Sequence, residues 1–544
     1  MLGKMMSQPL LIPAVLEHAA RFHRETEIVS RREDGGLHRY TYGEAARRSR
    51  QLANALVALG LTAGQRVGTL AWNGFRHLEL YYAVPGAGFI CHTINPRLFP
   101  EQIRFIINDA DDQYLFVDPG FVPLLEQIAA GLPGVRGYVV MTDRAHMPAT
   151  SLPEVLCYED LIGGMPERFD WPLLDENTAS GMCYTSGTTG NPKGVLYSHR
   201  STVLHAMAGG RAEVFGLSSR DVVMPVVPMF HVNSWGLPYC APMAGAKLVL
   251  PGARLDGASL AELIRGEGVT VSAGVPTVWL SLLDHAETAQ APLAPLSRVL
   301  IGGAAAPARM MERFDALGIQ PIHAWGMTET SPVVTVATLS PRHDALSPEA
   351  RMSLRIKQGA ALFGAEMRIV GYDGVEQPWD GTSSGMLEVR GPWICSGYFS
   401  DDDGQAFSPD GWFITGDICT ITPDVFMEIV DRAKDVIKSG GEWISSIALE
   451  NVAIGHPAVR EAAAIGRPDE KWGERPRLVL VLRDGARLSA AELREYLAPR
   501  IAKWWMPDDF VLAESLPHTA TGKLLKMELR RLFRDPAHPD ARPL

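Results

Sequence analysis

Eleven consecutive residues, Tyr184-Thr185-Ser186-Gly187-Thr188-Thr189-Gly190-Asn191-Pro192-Lys193-Gly194, gather the groups that anion chemistry needs. Glycines let backbone amides approach an anion closely, the hydroxyls of Thr185, Ser186, Thr188 and Thr189 can donate hydrogen bonds, and Lys193 adds positive charge. The order departs from the nucleotide loop GxxxxGK[ST], which would need Gly at 192 and Ser or Thr at 194. Gly/Ser/Thr loops are often only polar surface turns, but this order over eleven residues points to phosphate. Other candidates are bland when taken singly. Asp417 after Gly416 fits a turn cap, Glu329 a solvated acid, and Arg432 a partner of Asp431 or Asp435. Trp325 alone fits a core position, Lys523 a surface lysine, and Gly440-Gly441 a tight turn.

The order of the motifs along the chain lifts them above those readings. The loop is followed by Met229-Phe230-His231, Gly302-Gly303-Ala304-Ala305-Ala306-Pro307, Trp325-Gly326-Met327-Thr328-Glu329-Thr330, Gly411-Trp412-Phe413-Ile414-Thr415-Gly416-Asp417, Asp431-Arg432-Ala433-Lys434-Asp435 and Thr519-Ala520-Thr521-Gly522-Lys523. In composition and order they resemble the adenylate-forming superfamily of acyl-CoA synthetases, luciferases and peptide-synthetase adenylation domains, over nearly the whole chain. The resemblance implies ATP-dependent activation of a carboxylic acid. Attack of the carboxylate on the α-phosphorus gives an acyl-adenylate and pyrophosphate, and a thiol then displaces AMP. Such catalysis is mainly positioning and charge neutralisation. ATP, Mg²⁺ and coenzyme A are the implied cofactors and co-substrates.

The resemblance also assigns roles. Lys523 bridges the acid and the α-phosphate, Thr328 hydrogen-bonds the α-phosphate, and Glu329 with Thr185 holds Mg²⁺. The nucleotide site takes in Thr185, Ser186, Gly187, Thr188, Thr189, Lys193, Gly302, Gly303, His323, Ala324, Trp325, Gly326, Thr328, Asp417, Arg432, Lys434 and Lys438. Asp417 and Arg432 face the ribose. Trp325, where the family often has Tyr, stacks on adenine without a hydroxyl to donate. Lys434 is the hinge about which a small domain turns. Lys438, Gly440, Gly441, Glu442 and Trp443 enter the thioester-forming site, where the glycines leave room for the phosphopantetheine arm. His231 positions the acid or senses the nucleotide; a satisfied buried histidine is the alternative.

The implied acyl pocket includes Val232, Trp235, Val275, Ala304 and Val333, all apolar. No acid occurs in Phe230-His231-Val232-Asn233-Ser234, where amino-acid-activating relatives carry an Asp. A buried ammonium without a partner is costly, so an apolar acid is favoured, with Trp235 shortening or gating the pocket. The chain most resembles medium- and long-chain fatty acyl-CoA synthetases and, within them, the bacterial 3-(methylmercapto)propionyl-CoA ligases. The carrying stretches are 1–6, 228–239 and IKSGGEWISSI at 437–447. Overlapping specificity is expected, since one methylene is worth only about 1–3 kcal/mol in an apolar pocket. A carrier-protein-loading adenylation enzyme and an oxygen-using luciferase-like enzyme are the alternatives, with a non-catalytic protein on the same fold as a third; activity with free CoA discriminates against the first.

The elements that must position these residues alternate. Thr41 and Glu44 form a capping box before an amphipathic run, and helix and strand signals then alternate through about residue 302. That argues for parallel sheets covered on both faces. After about residue 350, alternating apolar and polar stretches read as antiparallel β structure. After 432 a small α+β unit follows, with Ser489 and Glu492 capping a helix. The expected fold is therefore a large α/β domain over 1–432, made of two doubly wound α/β subdomains and a β-barrel-like subdomain, a hinge at 433–434, and a small mobile α+β domain over 435–544. Residues 432–544 carry 19 Lys and Arg against 16 Asp and Glu, a net +3, which leaves −14 for the remainder.

Across 544 residues the composition is 46% hydrophobic and 21% charged, ordinary for globular proteins, and the net charge of −11 disfavours a general nucleic-acid binder. The six cysteines form no CxxC pair and read as free thiols in a reducing compartment. The charge-free run 222–246 holds four prolines, which suits a buried pocket wall better than a membrane span. A cytoplasmic enzyme without a nucleic-acid partner or membrane span is expected, and the resemblance implies self-association as a homodimer.

Overall fold

The computed structural model describes residues 1, 3–185, 192–371, 373–400, 406–439, 442–518, 524–533 and 542–544, apart from the side chains of 442–443 and 542–543. The chain falls into two compact units, 1–366 with 390–413, and 367–389 with 414–544.

The first unit is built on two sheets. One has seven strands, in spatial order Val155–Cys157, Gly137–Val140, Asp112–Val117, Arg66–Leu70, Ile90–Thr93, Ala179–Tyr184 and Gly194–Ser198. All neighbours are parallel except the last pair. The other has nine, in order Ala360–Ala361, Val333–Val336, Gln320–Gly326, Arg298–Ile301, Val271–Gly274, Val222–Pro225, Lys247–Leu250, Glu27–Arg31 and Leu37–Thr41. Its centre is parallel and its margins antiparallel. Parallel strands need crossovers, and the helices between them carry one apolar face inward. Leu260, Ile264, Trp279, Leu283, Met311 and Phe314 fill one core in this way, and Ile103, Ile106, Leu115, Val117 and Leu125 fill another.

Local signals place the boundaries. Thr41 and Glu44 close a reciprocal capping box at the start of the helix Tyr42–Ala58. The strand Ile90–Thr93 begins just after Gly88, which takes φ +86° and turns the chain first. The charge-free run becomes the strand Val222–Pro225, a tight turn at Val232–Gly236 and the helix Leu237–Ala244. Among the described residues no helix is long and apolar enough to cross a membrane.

The second unit contains the antiparallel structure read after residue 350 together with the small α+β module. A four-stranded sheet runs Glu366–Val370, Ser384–Arg390, Phe413–Ile421, Met427–Arg432. A six-stranded sheet contains Glu442–Ile444, Ile437–Ser439, Gly473–Leu482, Asp509–Leu512 and Arg542–Pro543 in that order, with Val459–Asp469 also paired to Gly473–Leu482. Ser489 and Glu492 cap the helix Ala490–Leu497 as their spacing predicts.

Candidate active site

The phosphate-loop candidate is the connection of a β-hairpin. Strand Ala179–Tyr184 pairs with Gly194–Ser198, and Tyr184 lies opposite Gly194. The Thr185 amide donates to the Lys193 carbonyl at 2.9 Å, which closes the neck of the loop. Ser186, Gly187, Thr188 and Thr189 lie outside the described residues. The Lys193 ammonium sits 5.0 Å from the centre of the Tyr398 ring, a cation–π distance.

Tyr398 carries the site onward. Its hydroxyl donates to Glu329 Oε1 at 2.8 Å, while the Cys395 amide donates to the Glu329 carbonyl at 2.8 Å. Thr328 and Glu329 begin a short 3₁₀ turn, and both are buried. The Tyr197 hydroxyl, from the hairpin's second strand, donates to the Thr328 carbonyl at 2.8 Å. The hairpin, the segment 391–399 and the Thr328–Glu329 turn are therefore tied together. Gly326 before the turn has a steric reason: a Cβ there would lie 1.9 Å from the Pro332 carbonyl oxygen.

One buried carboxylate and one threonine hydroxyl suit Mg²⁺, which binds through one or two carboxylates and completes its shell with phosphate oxygens and water. Among the described residues no group of three or more His, Cys, Asp or Glu forms a metal cage. The donor set fits a metal carried in with a nucleotide.

The acyl-pocket candidates converge in the same unit. A Cβ on Gly302 would lie 2.8 Å from Trp235 Cη2 and 3.0 Å from the Ala324 carbonyl, and one on Gly303 3.3 Å from Val275 Cγ1. The Trp235 indole thus lies flush against glycine backbone. Val232 and Val333 are buried, Val275 is half-buried and Ala304 is exposed. Val232, Asn233, Ser234 and Trp235 all take positive φ, between 45° and 56°, and Gly236 follows at 81°. Four non-glycine residues in the left-handed region cost roughly 1–2 kcal/mol each, so the surroundings must hold them. The Ser234 hydroxyl donates to the Val227 carbonyl at 2.5 Å. Asn73 donates to the Pro225 and Val227 carbonyls at 2.7 and 2.9 Å and accepts from the Met229 amide at 2.6 Å. His205 accepts from the Val333 amide at 3.0 Å, and burial pushes its pKa down to about 3, so it is neutral. His231, just before the turn, is half-buried and its carbonyl accepts from the Ser234 amide at 3.1 Å. His323 is buried, donates from Nδ1 to the Ile356 carbonyl at 2.8 Å, and has its pKa lowered by desolvation.

In the second unit, Asp417 on Phe413–Ile421 lies opposite Arg432 on Met427–Arg432, with Arg432 Nε 2.7 Å from Asp417 Oδ1. Asp417 is fully buried, whereas the Arg432 side chain keeps 38% of its surface exposed, so the guanidinium has an open side. Lys434 follows in the turn to the strand Ile437–Ser439, and Lys438 lies on that strand opposite Trp443. Glu442 and Trp443 belong to the strand Glu442–Ile444. Gly440, Gly441 and Lys523 lie outside the described residues.

Tyr197, Tyr398, Asn73 and His205 were not singled out from sequence. Each acts through a partner far along the chain; only the hydroxyls next to recognisable motifs offered a signal, and it was weak.

An AMP-binding enzyme model matches residues 15–399, and the model of the AMP-binding enzyme C-terminal domain matches 448–523. The chain is 52% identical over 536 residues to a 3-methylmercaptopropionyl-CoA ligase of Ruegeria lacuscaerulensis, covering 98% of this chain and 99% of that one. It is 50% identical over 536 residues to a medium-chain-fatty-acid–CoA ligase of Ectopseudomonas oleovorans, covering 98% of each. A solved anthranilate CoA ligase in complex with anthranoyl-AMP superposes with a TM-score of 0.85 at 25% identity, over 96% of this chain and 98% of that one. The tied hairpin, the Thr328–Glu329 turn and the Asp417–Arg432 pair thus sit in a chain that, matched from end to end, belongs to the AMP-binding enzyme family.

Proposed function

We propose that this chain is an AMP-forming acid–CoA ligase that activates 3-methylmercaptopropionate or another short- to medium-chain apolar acid. The observation that carries this reading is identity at half the positions, over 98% of the chain, to ligases of such acids. Ligases of this family take ATP, Mg²⁺ and CoA.

The carboxylate oxygen attacks the α-phosphorus, the bond to the bridging oxygen breaks, and pyrophosphate leaves. CoA sulfur then attacks the acyl carbon, the thiol proton is lost, and AMP departs. Thr328 donates to the α-phosphate, while Lys193 and the loop residues Ser186, Gly187, Thr188 and Thr189 neutralise the outer phosphates. Glu329 and Thr185 would hold Mg²⁺, which when bound supplies charge neutralisation at the phosphates. Trp325 stacks on adenine beside His323, Ala324 and Gly326. Asp417 accepts from the ribose hydroxyls and Arg432 donates to them. Lys523 offsets the negative charge that grows between carboxylate and phosphate, and His231 positions the acid. Residues 1–432 and 435–544 turn about Lys434 between the two half-reactions, and Lys438, Gly440, Gly441, Glu442 and Trp443 line the pantetheine passage.

The buried apolar residues Val232, Trp235 and Val333, with no carboxylate among them, support an apolar acyl group over an amino acid. The likeness to the medium-chain ligase supports a second reading, in which a fatty acid of intermediate length is the preferred substrate. A cytoplasmic homodimer completes the proposal. AMP release measured with acids from C2 to C12 and with 3-methylmercaptopropionate, with and without CoA, tests it. CoA-dependent turnover peaking at short or medium apolar acids is expected; formation of ADP, or turnover indifferent to CoA, refutes it.

A further inference from the structure

The strand that ends before the proposed hinge is tied to elements that follow it by buried charge. Asp431, the penultimate residue of Met427–Arg432, is fully buried. Its Oδ1 accepts from the Arg432 amide at 2.7 Å and its Oδ2 from the Ser446 amide at 2.6 Å. Ser446 opens the helix Ser446–Ile454, whose N-cap hydroxyl on Ser445 donates to the Val430 carbonyl. The Ser446 hydroxyl in turn accepts from the Lys526 ammonium, which lies 2.8 Å from Glu450 Oε1. Lys526 and Glu450 are 9% and 7% exposed, so ammonium and carboxylate pair out of water, linked through Ser446 to the buried Asp431. Burial pushes both carboxyl groups up, and the attraction of Lys526 opposes this at each.

Lys526 begins the helix Lys526–Phe533, three residues beyond Lys523. Arg530 is one turn further along the same helix face. It donates to the Lys434 carbonyl at 3.1 Å and to Asp435 Oδ1 at 2.7 Å. The helix Lys526–Phe533 therefore reaches residues 434–435 directly through Arg530, and Asp431 indirectly, through the Ser446 that Lys526 holds.

We propose that Lys526 is a positioning residue, a buried cationic clasp across the hinge that biases the hinge geometry. This rests on the hinge reading of Lys434 given above. Rotation there carries Ser446, Glu450 and Lys526 away from Asp431, so the clasp must open in one half-reaction and close in the other. A buried carboxylate stripped of its partner is strongly disfavoured. The cluster therefore weights the balance between the two arrangements.

The test compares two rates in the full-length enzyme: ATP–pyrophosphate exchange, and thioester formation from a synthetic acyl-adenylate. Lys526→Met keeps the stem and removes the charge. Its ratio of the two rates is expected to shift by about tenfold, within the usual range of coupling between sites, and Lys526→Arg is expected to restore most of it. Equal loss of both rates, or no change in either, overturns the clasp. Glu450→Gln, which keeps its shape, decides by the same criterion should Lys526→Met fail to fold. Lys434→Pro separates the two ideas. Both rates unchanged in Lys434→Pro would sink the hinge, and the clasp with it; a Lys434→Pro that splits them beside a Lys526→Met that does not overturns the clasp alone.

Discussion

Replacing Tyr398 by Phe removes one hydroxyl and leaves the ring on which Lys193 rests. The lost group donates a 2.8 Å hydrogen bond to Glu329 Oε1, and the carboxylate is only 6% exposed, so little water can replace it. A hydrogen bond to a charged group is worth about 1.5–3 kcal/mol. Removing a partner that orients a metal-binding carboxylate typically costs about 10–100-fold in metal affinity. Those figures agree, since 1.4 kcal/mol is about tenfold. ATP–pyrophosphate exchange measured against free Mg²⁺ should therefore show a half-saturating concentration raised at least about tenfold in Tyr398→Phe. The rate at saturating Mg²⁺ should be reduced far less, because the Cys395 amide still pins the Glu329 backbone. If the Mg²⁺ curve keeps its midpoint while the plateau falls, Tyr398 serves the turn's structure, and Glu329 is not the metal's carboxylate.

Lys523→Ala should lower ATP–pyrophosphate exchange by roughly 10²–10³, the usual cost of one transition-state donor, yet spare thioester formation from synthetic acyl-adenylate; equal loss of both steps contradicts its role. Trp235→Ala should move the optimum in the acid panel to longer chains, because its ring is the side chain pressed on Gly302; an unchanged rank order would place the pocket's end elsewhere. His205 is neutral when folded, with its pKa lowered to about 3, and takes up a proton on unfolding below about 6.5. Its contribution to stability is whole above pH 6.5 and is lost as pH falls from 6.5 toward 3, by about 1.4 kcal/mol per unit. His205→Gln should flatten the pH dependence of unfolding free energy between 6.5 and 4 by that one proton; the same slope in both proteins would mean that His205 is charged in the fold.

The sequence carried the chemistry further than the scaffold that holds it. The family's motifs are legible because each is a run of particular residues at short spacing, and capping boxes are legible because both partners lie within four residues. Thr41 with Glu44 and Ser489 with Glu492 both form as their spacing predicts. What escaped is the set of contacts closed across long stretches of chain. Tyr197 reaches Thr328 over 131 residues, and His205 reaches Val333 over 128. A tyrosine in a strand and a histidine in an apolar helix are ordinary core residues until the fold brings a carbonyl or amide to them. Charge and periodicity mark where the pattern changes, while compact units are set by contacts that no local pattern encodes.

The turn Val232–Trp235 shows what this means for substrate choice. No glycine breaks the run, so local preference argues against the left-handed backbone, yet four residues adopt it in succession. At roughly 1–2 kcal/mol each, the strain is comparable with several hydrogen bonds at about 1 kcal/mol apiece. The Ser234 hydroxyl on the Val227 carbonyl and the triple contact of Asn73 supply bonds of that number, all to buried backbone. The turn is thus fixed by side chains behind the pocket, and Trp235 is aimed at Gly302 by the backbone and not by its own rotamer alone. If the proposed pocket is the acyl site, acyl-chain preference depends on residues that never meet the acid: Asn73→Ala should let the turn relax and broaden the acid panel although Val232, Trp235 and Val333 are not substituted, whereas a panel as narrow as the parent's would show that the turn is held by its own residues.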